Sequence, residues 1–162
     1  KNLAKTTLIA VPHRFPIVLV TNSGYPLDQN LYQSVKGIWT ASRIVEEGGV
    51  IVMASECTGG IPDHGNFAKF LKNTPDIQSL SYLVADNKDN VIDRWQIQKL
   101  LAVLKKAEIY LYSAIPIKEA GLCGIRQIDN IPGFIESRCR KLRGKQKIAI
   151  LPQGPITTPC LE

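Results

Sequence analysis

The chain of 162 residues, 44% hydrophobic and 21% charged, has the composition of one globular domain with a real core, which excludes a disordered tail. It contains no apolar run of roughly 18 residues that could cross a membrane, and Pro12, His13, Arg14 and Pro16 interrupt the apolar N-terminal stretch, which also lacks a small-residue cleavage site and is not a signal peptide. The net charge of +6 is local, because Arg138, Arg140, Lys141, Arg143, Lys145 and Lys147 follow one another without an acid between them; with no stacking aromatics or recognition helix beside them, they read as a solvated face rather than a nucleic-acid patch.

Pro16 introduces the apolar, β-branched run Ile17 to Thr21, a buried strand ended by Asn22-Ser23-Gly24. From Asp28 to Glu47, Leu31, Val35, Ile38, Ser42 and Val45 recur at helical spacing, and Gly48-Gly49 marks the stop. Val50 to Ala54 is a second strand, followed by the loop Glu56-Cys57-Thr58-Gly59-Gly60. Asp63 can cap a short helix carrying Phe67, Phe70 and Leu71, whereas Asp76 to Val84 has no decisive pattern. Trp95, Ile97, Leu100, Leu101 and Leu104 make Asp93 to Lys106 an amphipathic helix whose basic residues lie at its C-terminal end. Ile109 to Ser113 is a third strand, short and longer helices are expected at Lys118 to Leu122 and Pro132 to Leu142, and Ile148 to Leu151 is a fourth strand. Pro152, Gly154, Pro155 and Pro159 look unsuited to regular structure.

Alternating strands and helices, with strands apolar throughout, predict a single α/β domain over residues 1–162: a three-layer, Rossmann-like arrangement with a mostly parallel sheet covered by helices on both faces. Ligands on such sheets bind at the carboxyl ends of the strands, here Asn22 to Gly24, Ser55 to Gly60 and Ser113 to Pro116. The four cysteines form no C-x-x-C pair and suit reduced thiols in a cytoplasmic protein. His13 and His64 are the only histidines, too few for a metal cage by themselves.

The turn from Thr21 to Asn30 is neither a P-loop nor G-x-G-x-x-G, but it leads into a helix N-terminus of the kind that attracts anions. On that helix Gln33 and Lys36 are side-by-side neighbours opposite the apolar face, with Tyr32 on the flank. An amide beside an ammonium suits a small carboxylate; a solvated helix face is the plainer reading. Glu56, Cys57 and His64 share one loop region, where a Cys-His nucleophilic pair competes with a buried cysteine and a loop histidine. Trp95 either packs against the core or an interface, or walls a pocket.

The segment Ser23-Gly24-Tyr25-Pro26-Leu27-Asp28-Gln29-Asn30-Leu31-Tyr32-Gln33-Ser34-Val35-Lys36-Gly37 resembles the signature of the C-terminal domain of the nickel-dependent lactate racemase family. Glu46 to Val52, Asp93-Arg94-Trp95-Gln96 and Ile150 to Pro155 add to the likeness, which spans nearly the whole chain and is strongest from Val20 to Ala54. The resemblance implies an active site in a cleft between two domains, with Gln33 and Lys36 holding the carboxylate and oxygen atoms of a 2-hydroxy acid and Tyr32 and Trp95 walling the pocket. It implies a nickel pincer nucleotide, derived from a pyridinium and carried by an N-terminal domain. Hydride leaves the 2-carbon, a flat 2-oxo acid forms, and hydride returns to either face. The anchoring lysine and histidine cluster of that domain have no counterpart here, and the chain opens on Lys1 rather than Met. The chain is therefore expected to be one half of a longer enzyme, alone inactive and without nickel, whose partners are that N-terminal domain and the substrate. Neither nucleic acid nor membrane is expected as a partner, and a homodimer stays open. Thr58 to His64 departs from the family pattern, which leaves the choice of 2-hydroxy acid open. The alternative is a non-catalytic small-molecule-binding or assembly module of the same fold.

Overall fold

The computed structural model describes residues 8–63, 65–72, 76–85, 93–116, 124–142 and 144–162. In chain order the described elements are β1 (Leu8–Val11), β2 (Phe15–Thr21), α1 (Leu31–Ser42), β3 (Val45–Ala54), α2 (Phe67–Lys72), α3 (Ile77–Ala85), α4 (Arg94–Lys106), β4 (Glu108–Tyr112), β5 (Ile125–Gln127), α5 (Ile131–Lys141), β6 (Ala149–Leu151) and β7 (Thr158–Leu161). The strands β5-β4-β3-β2-β6 form an all-parallel sheet in that order, and β1 pairs with β7, also parallel, in a separate ribbon.

Successive strand residues point to opposite faces, and both faces are buried, which explains the unbroken apolar runs. Val18, Val20, Ile51, Met53, Ile109 and Leu111 join the core shared with Leu31, Val35 and Ile38 of α1 and Ile97 and Leu100 of α4. Ile17, Val50, Val52 and Tyr110 face the other way, against Ile131, Phe134 and Cys139 of α5. Each fully buried aliphatic side chain contributes about 2 kcal/mol by leaving water. The α/β architecture with helices on both sides of a parallel sheet is thus as the sequence pattern predicts. Among the described residues no helix is long and apolar enough to cross a membrane.

Several boundaries differ. The helix expected to run to Glu47 ends at Ser42, and Val45 to Glu47 belong to β3. Val45 pairs with Phe15 and Val50 with Ile17, so the stretch between them bulges out of register with Glu46, Glu47 and Gly48 exposed. Sheet pairing overrides the helical spacing here: the Phe15 amide donates to the Ile44 carbonyl (2.8 Å) and the Arg14 guanidinium to the Arg43 carbonyl (2.8 Å), which holds the chain where it leaves α1. The proline-rich end also departs from expectation. Gly154–Ile156 is a single 3-10 turn and Thr158–Leu161, Pro159 included, is strand β7. A ribbon of only two strands leaves each strand one free edge, where a proline without an N–H costs no ladder bond. Asp76 to Val84 is largely helix α3, with the Asp76 carboxylate accepting from the Ser79 amide at 2.7 Å. The short helix expected at residues 118–122 lies outside the described residues.

The basic stretch is not uniformly solvated. Arg138 donates to the Glu108 carboxylate at 2.6 Å and stacks over Phe134 and Tyr110, and Arg140 pairs with Glu136 one turn away.

Candidate functional site

Helix α1 carries most of the candidates, and its N-terminal end is held from two sides. Asn30 is the cap, its side-chain oxygen accepting from the Gln33 amide at 3.0 Å. The loop after β3 closes against it: the Cys57 amide donates to Asp28 O (2.8 Å), the Gly59 amide to Gln29 O (2.8 Å) and the Leu31 amide to Gly60 O (3.0 Å). Beneath this seam Ser34 Oγ lies 2.7 Å from Ser55 Oγ and 3.2 Å from Cys57 Sγ, all buried. The amides of Leu31, Gln33 and Ser34 are therefore already engaged within the protein. They form no open anion cradle, although the field of the helix dipole remains.

Lys36 Nζ donates to Gln33 Oε1 at 2.6 Å, and both side chains are half-buried. One helical turn before Lys36, the Tyr32 hydroxyl donates to Asp93 Oδ1 at 3.1 Å, and the ring meets Phe67 and Trp95 edge-on at 5.3 and 6.1 Å. Gln96, fully buried on α4, donates from Nε2 to the Tyr32 carbonyl. Asp93 sits at the N-cap position of α4 with φ 72° and makes no side-chain cap bond; its carboxylate holds Tyr32 instead. Desolvation by burial, then the hydrogen bond and the negative charge of Asp93, raise the Tyr32 phenol above its ordinary value. Trp95 is 44% exposed, and the Lys99 ammonium lies over it at 4.7 Å from the ring centroid and 5.7 Å from that of Trp39.

The four residues singled out from the sequence thus fall into two contacting pairs, Gln33 with Lys36 and Tyr32 with Trp95, linked through α1. Sequence reasoning missed Asp93, Gln96, Lys99 and Trp39. Asp93 and Gln96 flank Trp95 in the Asp93-Arg94-Trp95-Gln96 stretch, and Trp39 lies three residues beyond Lys36, which are the signals that could have flagged them.

A second feature is a cleft of about 890 Å³ along the carboxyl ends of β2 to β5, lined among others by Thr21, Ser55, Tyr112 and the acids Asp28, Glu56 and Asp129. The three turns expected from the sheet rule do converge on it, but none of Tyr32, Gln33, Lys36 and Trp95 lines it. Cys57 is 1% exposed, and its thiol is pushed up chiefly by burial. That is the environment of a packed cysteine rather than a nucleophile; His64, its suggested partner, lies outside the described residues. Cys57, Cys139 and Cys160 are free thiols. Among the described residues no three His, Cys, Asp or Glu side chains converge as metal ligands.

Residues 12–156 match the lactate racemase C-terminal domain family. The chain is similar to the lactate racemase of Thermoanaerobacterium thermosaccharolyticum, 39% identical over 90 residues that cover 54% of this chain and 21% of that protein. It is also similar to the lactate racemase of Lactiplantibacillus plantarum, 44% identical over 61 residues, 38% of this chain and 13% of that protein. Among solved structures, the lactate racemase apoprotein from Thermoanaerobacterium thermosaccharolyticum superposes with a TM-score of 0.86 at 23% identity, over 98% of this chain and 38% of that one. A protein from Thermotoga maritima superposes with a TM-score of 0.61 at 12% identity, over 99% of this chain and 40% of its own. At these identities the two superpositions show the fold alone. The chain accounts for well under half the length of each of these proteins.

Proposed function

The chain belongs to the lactate racemase C-terminal domain family, and from that membership we propose that it is the substrate-clamping wall of a two-domain enzyme that interconverts stereoisomers of a 2-hydroxy acid. The observation that carries this reading is the Lys36–Gln33 contact of 2.6 Å. The ammonium is half-buried, and its one side-chain partner among the described residues is a neutral amide oxygen, so its charge stays available for an anion. A substrate carboxylate placed there accepts a charge-assisted hydrogen bond, roughly twice as strong as a neutral one. The Gln33 amide supplies a second donor beside it.

Racemisation asks that the hydrogen on the 2-carbon leave and return on either face while the rest of the molecule stays bound. Anchoring the carboxylate does this without a protein nucleophile, since rotation about the bond between the carboxyl carbon and the 2-carbon remains free. Holding the reacting carbon in register lowers the barrier by replacing diffusion with proximity. The rings of Tyr32 and Trp95 exclude water from the flank. Tyr32 acts through its ring, because its hydroxyl is committed to Asp93 and its phenol is held protonated.

The nickel pincer implied by the family resemblance does not fit the described residues, which bring no set of metal ligands together. In this proposal the cofactor belongs to the N-terminal domain.

The test is Lys36→Ala in the complete enzyme. Turnover should fall by about a hundredfold or more, because a charge-assisted anchor of the reacting molecule is gone, with the far-UV spectrum unchanged. Activity within about threefold of the parent would overturn the role of Lys36, since that corresponds to less than about 1 kcal/mol.

A further inference from the structure

We propose that the site takes 2-hydroxy acids bearing a second carboxylate, and that Lys99 selects them; the proposal rests on the reading of Lys36 as the holder of the first carboxylate.

Tyr32, Lys36 and Trp39 follow one another at helical spacing, so they form one row along α1. Trp39 stands about one turn beyond Lys36 on that row. The Lys99 ammonium, from α4, lies 5.7 Å from the Trp39 ring centroid and 4.7 Å from that of Trp95. Trp95 in turn meets Tyr32 edge-on. The two helices therefore present a single strip with an ammonium at Lys36, a second at Lys99 and indole faces at the second.

Neither ammonium has an acidic partner among the ion pairs of the described residues. The acid on this strip, Asp93, accepts from the Tyr32 hydroxyl and pairs with neither lysine in those ion pairs. A lysine on a helix surface ordinarily leaves its head in water. Lys99 is instead drawn across two indoles, whose cation–π attraction fixes the position of the charge without neutralising it. Two fixed like charges repel each other and are complementary to a dianion. A monocarboxylate satisfies only Lys36. A 2-hydroxy dicarboxylic acid satisfies both, its methylene carbons lying on the indole edges.

The experiment compares kcat/KM for malate and for lactate in the complete enzyme, as parent, Lys99→Met, Lys99→Gln, Lys99→Arg and Lys36→Ala. The parent should prefer malate, and the malate-to-lactate ratio should fall at least about tenfold in both neutral variants and return in Lys99→Arg. Two neutral variants keep the test available if one fails to fold. A parent that prefers lactate, or a ratio that moves by less than about twofold in the neutral variants, overturns the role of Lys99, and loss of turnover in Lys36→Ala then leaves the carboxylate clamp standing. Retained turnover of both acids in Lys36→Ala overturns the clamp itself, and the selection by Lys99 with it.

Discussion

Tyr32 and Asp93, on different helices and far apart in sequence, are joined by a hydrogen bond of 3.1 Å that ties the start of α4 to the first turn of α1. Asp93 adopts φ 72°, unusual for a residue with a side chain, and leaves its own helix uncapped. Gly65 lies against its other oxygen, where a Cβ would have no room. The carboxylate is thus directed at Tyr32 at the expense of the local cap.

Asp93→Asn keeps a side chain that tolerates the left-handed conformation and removes the charge. The Tyr32 phenol should then move down toward its ordinary 10.0, because burial remains while the charge of Asp93 is gone. A phenol raised by folding contributes stability that is fully present below the unfolded value and is lost as pH rises through the folded value. The parent should therefore lose more stability than Asp93→Asn in the alkaline range above about pH 10. Titration of ring-labelled tyrosine by NMR, with urea midpoints at each pH, measures both; an unmoved Tyr32 would show that Asp93 does not hold it.

Glu108 gives the opposite sign. Its carboxylate accepts from Arg138 at 2.6 Å and from the Tyr110 hydroxyl at 2.8 Å, and also from Arg126. Burial alone would push the carboxyl up, but these donors outweigh it and hold Glu108 below its ordinary 4.5. A depressed carboxyl contributes stability that is present above the unfolded value and lost as pH falls through the folded one. Glu108→Gln should be less stable than the parent at neutral pH, and the gap should close as pH drops below about 4. Paired denaturation curves at neutral and acid pH decide it, and a gap independent of pH would assign the effect to packing.

Much of this architecture was legible because the burial pattern wrote it plainly. The runs Ile17 to Thr21, Val50 to Ala54 and Ile109 to Ser113 are apolar on both faces since both faces are covered, and α4 shows its buried stripe at helical spacing. The bulge at Glu46 to Gly48 was not legible, because Val45 continues the period of α1 and only pairing with Phe15 assigns it to a strand. Strand β7 was hidden by Pro159, whose cost depends on whether an edge is free. The same limit applies at the site. Gln33 and Lys36 are neighbours on one helix and can be paired by counting, whereas Tyr32 with Asp93 and Trp39 with Lys99 meet only once α1 packs on α4.

Cys57 separates a structural from a chemical role for the loop after β3. Its thiol is buried against Ser34 and Ser55 at 3.2 and 3.4 Å and stays protonated at neutral pH. In the native chain it should resist a thiol-specific alkylating reagent under conditions that label the half-buried Cys139 and Cys160, and react once urea unfolds the protein. Cys57→Ala should retain turnover in the complete enzyme within about threefold. Peptide mapping of the alkylated cysteines gives the answer, and rapid native labelling of Cys57 together with an inactive alanine variant would restore the nucleophile.

The turn at Gly154 lies tight against both β2 and helix α1. A Cβ on Gly154 would stand 2.5 Å from Val20 Cγ2, 2.9 Å from the Thr21 carbonyl oxygen and 3.1 Å from Gly37 Cα. Two of those neighbours are backbone and cannot swing aside, so Gly154→Ala must lift the turn away from β2 and strain the bond from Thr21 Oγ1 to the Pro152 carbonyl, 2.6 Å in the parent. Overpacking of this kind costs about 1–3 kcal/mol. Gly37→Ala is the contrast. Its Cβ would meet Asn22 Oδ1 and Met53 Cε at 2.6 Å, side-chain ends rather than backbone, and alanine gains about 0.5–1 kcal/mol over glycine within a helix. Urea denaturation should therefore rank Gly154→Ala as the larger loss, and the reverse order would mean that the turn is free to give way and does not clamp α1 against the sheet.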